Sequence, residues 1–153
     1  IQMIRLYLDT EFTQLNLSRL LISLALVSDG GHEFYVEITD TWADSDCSDF
    51  VKSVVLPQLN PAKHGLAFSA ARAALRRFLA SVGEAEVIGD ALKWDCPLLL
   101  ELLGAEGLPA NIVGCGEIDG SGLDAENFSG EAPEAPHHAL LDARILAKLC
   151  EPK

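Results

Sequence analysis

Residues 20–38 read Leu-Leu-Ile-Ser-Leu-Ala-Leu-Val-Ser-Asp-Gly-Gly-His-Glu-Phe-Tyr-Val-Glu-Ile, and this stretch decides the class of fold. Two runs of β-forming side chains, 20–28 and 33–38, flank Asp29-Gly30-Gly31-His32, whose paired glycines are typical of a hairpin turn. Residues 3–9, Met-Ile-Arg-Leu-Tyr-Leu-Asp, form a third run of this kind. The chain is therefore predicted to open with a three-strand antiparallel meander.

Downstream of residue 49 the apolar side chains recur at helical spacing, and helices and strands are predicted to alternate. One predicted helix begins at Asp49 and is limited by Pro57. Three more are predicted over residues 69–82, 95–103 and 138–150. The predicted strands cover residues 86–89 and 111–115, and residues 116–136 lack any period. This order predicts an α/β domain with a mixed sheet and helices packed on it.

The length and the charge balance narrow the class of protein. A chain of 153 residues is typical of one domain, here residues 1–153, and it can bury an apolar core without metal or disulfide support. Its 11 Lys and Arg face 23 Asp and Glu, for a formal net charge of −12. This balance argues against a protein that grips long nucleic acid through a broad basic surface.

The cysteines and the apolar runs exclude further classes. Cys47, Cys96, Cys115 and Cys150 form no Cys-x-x-Cys pair, so neither a zinc finger nor a disulfide framework is expected. The apolar run 20–27 is far shorter than the ~18 residues that a membrane span needs. The start shows no leader pattern, so we expect Met3 to be the native start, Ile1 and Gln2 to be additions, and the protein to be cytoplasmic.

Asp9-Thr10-Glu11 ends the first predicted strand. Side-chain alternation places Asp9 and Glu11 on the same face of that strand, where two carboxylates repel each other. A shared proton or a bound cation relieves such repulsion, which favours a divalent metal. The alternative is a solvated strand end with two functionless acids.

Two more acids interrupt apolar helix faces. A buried unpaired carboxylate costs several kcal/mol, so each is expected to face a cation or strong donors. For Asp95 a helix N-cap role, with Pro97 in the first turn, is an equal alternative. The acids and their apolar neighbours at i+3, i+4 and i+7 are Asp142 with Ile145, Leu146 and Leu149, and Asp95 with Leu98, Leu99 and Leu102.

His137 and His138 directly precede the last predicted helix. A histidine titrates near neutral pH and can act as a general base from a loop, although an exposed pair without function is the alternative. Together with the four acids, these residues form a set of hard ligands and a base that suits Mg²⁺ or Mn²⁺ chemistry.

Three strings of the chain resemble the three motifs of the DEDDh 3′-to-5′ exonucleases, a family with a ribonuclease H-like fold. The strings are Leu8-Asp9-Thr10-Glu11-Phe12, residues 89–99 (Gly-Asp-Ala-Leu-Lys-Trp-Asp-Cys-Pro-Leu-Leu) and residues 137–144 (His-His-Ala-Leu-Leu-Asp-Ala-Arg). Their order and spacing are those of the family. The short length and the Asp-Thr-Glu-Phe string most resemble the small bacterial stand-alone 3′-to-5′ exoribonucleases.

The resemblance implies a two-metal mechanism with Mg²⁺ or Mn²⁺. In it, Asp9 would bridge both metals, Glu11 and Asp142 would complete the first site, and Asp95 would hold the second. His137 would be the general base. The implied substrates are 3′ ends of single-stranded RNA or DNA, and the implied products are nucleoside 5′-monophosphates.

Other residues near these motifs have less certain roles. Asp90, in place of a histidine common in the family, competes with Asp95 as a ligand, and His138 competes with His137 as the base. Phe12 resembles the position that packs on the terminal base or sugar. Thr10 and Lys93 are predicted substrate contacts.

A few features leave alternatives open. Trp94 is expected in the core, whereas Arg72, Arg76 and Arg77 would form a solvated helix face or touch phosphates or a partner subunit. A homodimer is one option, because dimers are common in the resembling family. Two other functions are an inactive nucleic-acid-binding protein of the same fold and a haloacid dehalogenase-type phosphatase. The phosphatase would need a helix directly after the first strand.

Overall fold

A mixed β-sheet forms the centre of the protein in a computed structural model that describes residues 3–118 and 136–150. Its strands are β1 Ile4–Phe12, β2 Leu21–Ser28, β3 Glu33–Ile38, β4 Gly65–Leu66, β5 Ala85–Gly89 and β6 Ile112–Glu117. They lie in the order β4-β3-β2-β1-β5-β6. Strand β2 is antiparallel to β1 and β3, whereas the pairs β1–β5, β5–β6 and β3–β4 are parallel.

The first three strands confirm the predicted antiparallel meander. Val27 pairs with Glu33 at the start of the hairpin, and Gly31 has φ 94°, a left-handed conformation that glycine adopts without strain. All eight residues of β2 are buried, because helices cover both faces of the sheet.

Strand β1 is longer than predicted. It continues to Phe12 because Glu11 and Phe12 pair with Ser23 and Leu21 of β2, with an irregularity in the register between them. Both the acid pair and Phe12 therefore belong to the strand. Strand β6 also extends further than predicted, so Gly116 and Glu117 belong to the sheet; the rest of the aperiodic segment, 119–135, lies outside the described residues.

Three of the four predicted helices are present as long α-helices, although their ends differ from the prediction. The segment predicted as a helix from Asp49 is a π-helical turn, Val51–Val55, followed by a 3-10 turn, Leu56–Gln58. The α-helices are α1 Pro61–His64, α2 Phe68–Ser81, α3 Leu92–Leu103 and α4 Ala139–Leu149. The short elements α1 and β4 were not predicted. No helix in the described ranges is long and apolar enough to cross a membrane.

Helix α4 presents a different face to the sheet than the one predicted. Ile145 and Leu149 are exposed (39% and 36%), and Leu146 alone of the predicted stripe is buried. The buried face consists mainly of small residues, Ala139, Ala143 and Ala147, which pack against Tyr7, Ala25 and Val27 of β1 and β2. Small side chains let a helix approach a sheet closely, so α4 turns this face inward and Asp142 lies half-buried at its border.

Helices α2 and α3 cover the opposite face of the sheet. Leu75 and Leu79 of α2 and Leu99 and Leu102 of α3 are fully buried in the main core. Arg72 and Arg76 do not form a solvated face, because they donate to backbone carbonyls of Glu101, Leu102, Leu103 and Gly107. These bonds join α2 to the C-terminal end of α3. All four cysteines are free, and Cys96 and Cys115 are in contact, with Sγ atoms 3.2 Å apart.

Candidate metal centre

Three carboxylates meet where β1 passes α4. Asp9 and Glu11 alternate onto the same face of β1, as predicted, and Asp142 comes from the first turn of α4. One oxygen of each lies within 4.8 Å of the others. The packing of α4 on β1 and β2 therefore brings together the residues that the resemblance assigns to the first metal.

A second acidic group shares Asp9 with the first. It contains Asp9, Asp90 and Asp95, again with one oxygen of each within 4.8 Å of the others. Strands β1 and β5 are parallel neighbours in which Tyr7 pairs with Ile88, so the chain delivers Asp9 and Asp90 to the same edge of the sheet. Asp90 and Asp95 thus lie in one group, whereas the sequence predicts them as alternative ligands of the second metal.

Asp95 is a buried residue inside α3, so the N-cap interpretation is wrong. The N-cap position is Ala91, and Asp95 is 2% exposed. The buried Thr10 hydroxyl donates a 2.6 Å hydrogen bond to Asp95 Oδ1. The Thr10 side chain is therefore occupied in holding Asp95 and is not exposed for the substrate contact predicted for it.

The acidic centre contains buried oxygen atoms that have no hydrogen-bond partner within the described part of the chain. They are Asp9 Oδ2, Asp95 Oδ2 and Asp142 Oδ1. An unmatched buried carboxylate oxygen is costly unless a cation or a proton meets it. Because carboxylate oxygens are hard ligands, these residues fit and can bind a divalent metal ion such as Mg²⁺ or Mn²⁺.

The electrostatics of the centre reflect this crowding. Burial, followed by the charges of Asp95 and Glu11, raises the pKa of Asp9 well above its usual value. Burial and the neighbouring Asp142 raise the pKa of Glu11 to about 8. For Asp95, burial outweighs the Thr10 hydrogen bond and raises the pKa to about 7. Without a cation, the folded centre thus retains protons near neutral pH.

The two histidines before α4 have different surroundings. His138 is half-buried against Tyr35, with its Nε2 atom 3.2 Å from the Tyr35 hydroxyl, and burial lowers the pKa of His138. The Tyr35 hydroxyl in turn donates to Glu37 at 2.6 Å. The sequence had not singled out this network, because no local pattern links positions so far apart.

His137 acts electrostatically on Asp142 of the acidic centre. Its charge opposes the effect of burial on the pKa of Asp142. The backbone of His137 has φ 57°, and its ring packs edge-on against Phe50 with centroids 4.9 Å apart. Gln58 Nε2 donates to the Pro136 carbonyl at 2.7 Å and so ties down the chain just before His137.

A cluster of aromatic and cationic side chains contains the sequence neighbours of Glu11 and Asp95. Phe12 and Trp94 stack with ring centroids 6.2 Å apart, and the guanidinium of Arg19 lies 5.0 Å from the Trp94 ring. Trp94 is half-buried, so the expectation that it packs in the core is wrong. Lys93 is exposed, with its Nζ 5.9 Å from the Trp94 ring. Sequence reasoning missed Arg19 because it lies between β1 and β2, outside every motif.

The sequence matches no protein-family profile and no curated protein. Among solved structures it is similar to cell-death related nuclease 4 (CRN-4), with a TM-score of 0.59 and 14% sequence identity. The match covers 95% of this chain and 62% of that nuclease. This chain therefore spans less than two thirds of the length of the nuclease. The similarity is one of fold. Together with the mixed sheet and its helices on both faces, it confirms the predicted α/β architecture, which is consistent with a ribonuclease H-like fold.

Proposed function

We propose that this protein is a metal-dependent 3′-to-5′ exonuclease that removes nucleoside 5′-monophosphates from the 3′ end of single-stranded nucleic acid, with RNA as the preferred substrate. The observation that carries the proposal is the pair of acidic groups that share Asp9. One shared carboxylate between two adjacent sets of hard oxygen ligands is the arrangement that a two-metal nuclease needs.

Each carboxylate has a distinct part in this proposal. Asp9 would bridge two ions, Glu11 and Asp142 would complete one site, and Asp95, together with Asp90, would complete the other. Bound ions of this kind stabilise the attacking and leaving oxygens of a phosphodiester during in-line displacement. The Thr10 hydroxyl fixes the orientation of Asp95, so that its unmatched Oδ2 remains directed to the centre.

His137 is the proposed general base. A base must lie within reach of the attacking water and be free to accept its proton. Within the described residues, the His137 ring makes no hydrogen bond and packs edge-on against Phe50, whereas the His138 ring contacts the Tyr35 hydroxyl. Release of the proton from Nδ1 or Nε2 of His137 to solvent would complete the cycle.

The two competing functions fit the observations less well. A haloacid dehalogenase-type phosphatase needs a helix directly after the first strand, but β1 is followed by the antiparallel strand β2. An inactive nucleic-acid-binding protein has no need to keep four carboxylates crowded together with raised pKa values. Such perturbation is typical of functional sites.

The proposal is tested with end-labelled single-stranded RNA and DNA, in Mg²⁺ or Mn²⁺ and again in chelator. We expect metal-dependent shortening from the 3′ end, faster on RNA, with mononucleotide products.

Asp9→Ala should abolish shortening while the circular dichroism spectrum stays that of wild type. The exposed, remote Glu84→Ala is the matched control and should retain full activity. Absence of shortening of either substrate by wild type would refute the nuclease proposal, and equal rates for wild type and Asp9→Ala would refute the site.

A further inference from the structure

The guanidinium of Arg19 is held in a fixed position beside the candidate centre. Its Nη2 atom donates to the Trp94 carbonyl at 2.9 Å, and Trp94 immediately precedes Asp95. Its Nη1 atom donates a longer bond of 3.4 Å to the Asn16 carbonyl. The guanidinium carbon lies 5.6 Å from the Phe12 ring and 5.0 Å from the Trp94 ring, within the range of cation–π attraction.

Arg19 has no carboxylate partner among the described residues, although acids outnumber bases by two to one in the chain. The ion pairs of the described ranges join Arg76 to Glu106 and Arg144 to Glu33. A guanidinium has five N–H groups, and the two backbone carbonyls use two of them. Three N–H groups therefore remain: the Nε–H, which is buried without a partner among the described residues, and one on each terminal nitrogen of this partly exposed side chain.

The surroundings of Arg19 indicate the chemistry of that ligand. Phe12 and Trp94 stack on each other, and they are the sequence neighbours of two of the carboxylates, Glu11 and Asp95. Aromatic faces next to a cation match a nucleotide, whose base or sugar packs on rings and whose phosphate meets the cation. Lys93 adds a second positive charge near the Trp94 ring.

We propose that Arg19, at the Phe12–Trp94 pair, binds a phosphate of the substrate strand other than the one that reacts. This inference rests on the proposed function and adds a subsite to it. The ligand is a phosphodiester of a single-stranded oligonucleotide. An acidic protein thereby gains a local attraction for the strand that its overall charge does not supply.

The test variant is Arg19→Gln, because the amide removes the charge but can still donate to the Trp94 carbonyl. Steady-state kinetics on a dinucleotide, which has one phosphodiester, are compared with those on a pentanucleotide. For the pentanucleotide we expect KM to rise about tenfold with kcat within about twofold, a loss typical of one charge-assisted hydrogen bond. For the dinucleotide, both constants should stay within about twofold of wild type.

A binding measurement tests the same subsite without catalysis. A fluorescent pentanucleotide is titrated against the Asp9→Ala protein with and without Arg19→Gln at several salt concentrations. Loss of one phosphate contact should reduce the slope of log affinity against log salt by about 0.7. Arg77→Gln is the matched control, since Arg77 is an exposed cation on α2 that makes no hydrogen bond or ion pair within the described residues.

The outcomes separate the two proposals. If wild type degrades RNA but Arg19→Gln behaves like Arg77→Gln in both KM and salt slope, the Arg19 subsite is wrong and the nuclease proposal stands. If wild type degrades neither substrate, the nuclease proposal fails, and the binding titration alone then decides whether Arg19 contacts a phosphate. An equal loss of affinity from Arg77→Gln would indicate a general charge effect and would overturn the subsite.

Discussion

Adjacent residues can have separate functions, and His137 and His138 are expected to differ in this way. We expect His137→Ala to lower kcat by about 10²–10⁴, the usual loss for a general base, with little change in melting temperature. His138→Ala should instead lower the melting temperature, because the buried Tyr35–Glu37 pair loses a partner. Kinetics and thermal unfolding of both variants check this, and the reverse result would make His138 the base.

At the residue scale, local patterns predicted only part of the candidate centre. Alternation along β1 was enough to place Asp9 and Glu11 on one face. No local pattern could distinguish the two interpretations of Asp95, because its partner Thr10 lies 85 positions away in sequence. The Arg19–Trp94 contact spans 75 positions and was invisible for the same reason. Side-chain contacts between distant segments appear only when the fold is known.

At the scale of elements, the sequence predicted the existence of the long helices and strands better than their ends and orientation. Gly83 and Gly104, with φ 77° and 85°, end α2 and α3 where expected. The predicted orientation of α4 is wrong because the prediction rests on the large apolar residues of the helix and leaves out its alanines. Close packing of a helix on a sheet selects small side chains, so the alanine face is buried instead.

The junction between α2 and the end of α3 provides a test at this scale. Arg72 Nε donates to the Leu102 carbonyl at 2.7 Å, and its guanidinium lies so close to Gly104 that a Cβ there would meet Arg72 at 2.9 Å. Arg72→Ala leaves the last carbonyls of α3 without these donors, which should lower the free energy of unfolding by about 1–3 kcal/mol. Urea denaturation checks this.

Arg77→Ala is the control for this junction, because Arg77 is exposed and lies on the same helix. Its substitution removes the same charge as Arg72→Ala. Its unfolding free energy should stay within about 0.5 kcal/mol of wild type. If Arg72→Ala were equally neutral, the carbonyl contacts would not stabilise α3, and the arginines would belong to a solvated face after all.

At the scale of the whole molecule, the acidity is compatible with a nucleic-acid substrate. The formal net charge is −12, and two divalent cations at the centre would bring it to −8. The charge balance still argues against a broad basic surface for long duplexes, but one 3′ end needs only a small cation-loaded site. Affinity beyond the last few nucleotides should then be weak and sensitive to salt.

The carboxylate cluster links the stability of the whole protein to pH and metal. The pKa of Glu11 is raised from 4.5 to about 8 and that of Asp95 from 3.8 to about 7, so in chelator the folded state binds protons that the unfolded state has lost. The stabilising effect of these protons is complete below about pH 4, declines as pH rises from there, and is fully lost once pH has passed about 7 to 8. The melting temperature of the metal-free protein should fall over that range.

Added Mg²⁺ or Mn²⁺ should restore this stability, because the cation replaces the protons at the carboxylates. At a concentration about 100 times Kd, binding contributes about 2.7 kcal/mol, which raises the melting temperature by about 5–10 °C in a chain of this length. The rise should be larger near pH 8 than near pH 5, where protons compete with the metal. Differential scanning fluorimetry at both pH values measures this rise in melting temperature.

Asp9→Ala should abolish the rise, and the control Glu84→Ala should keep it. Equal melting temperatures with and without metal near pH 8 would contradict the metal centre.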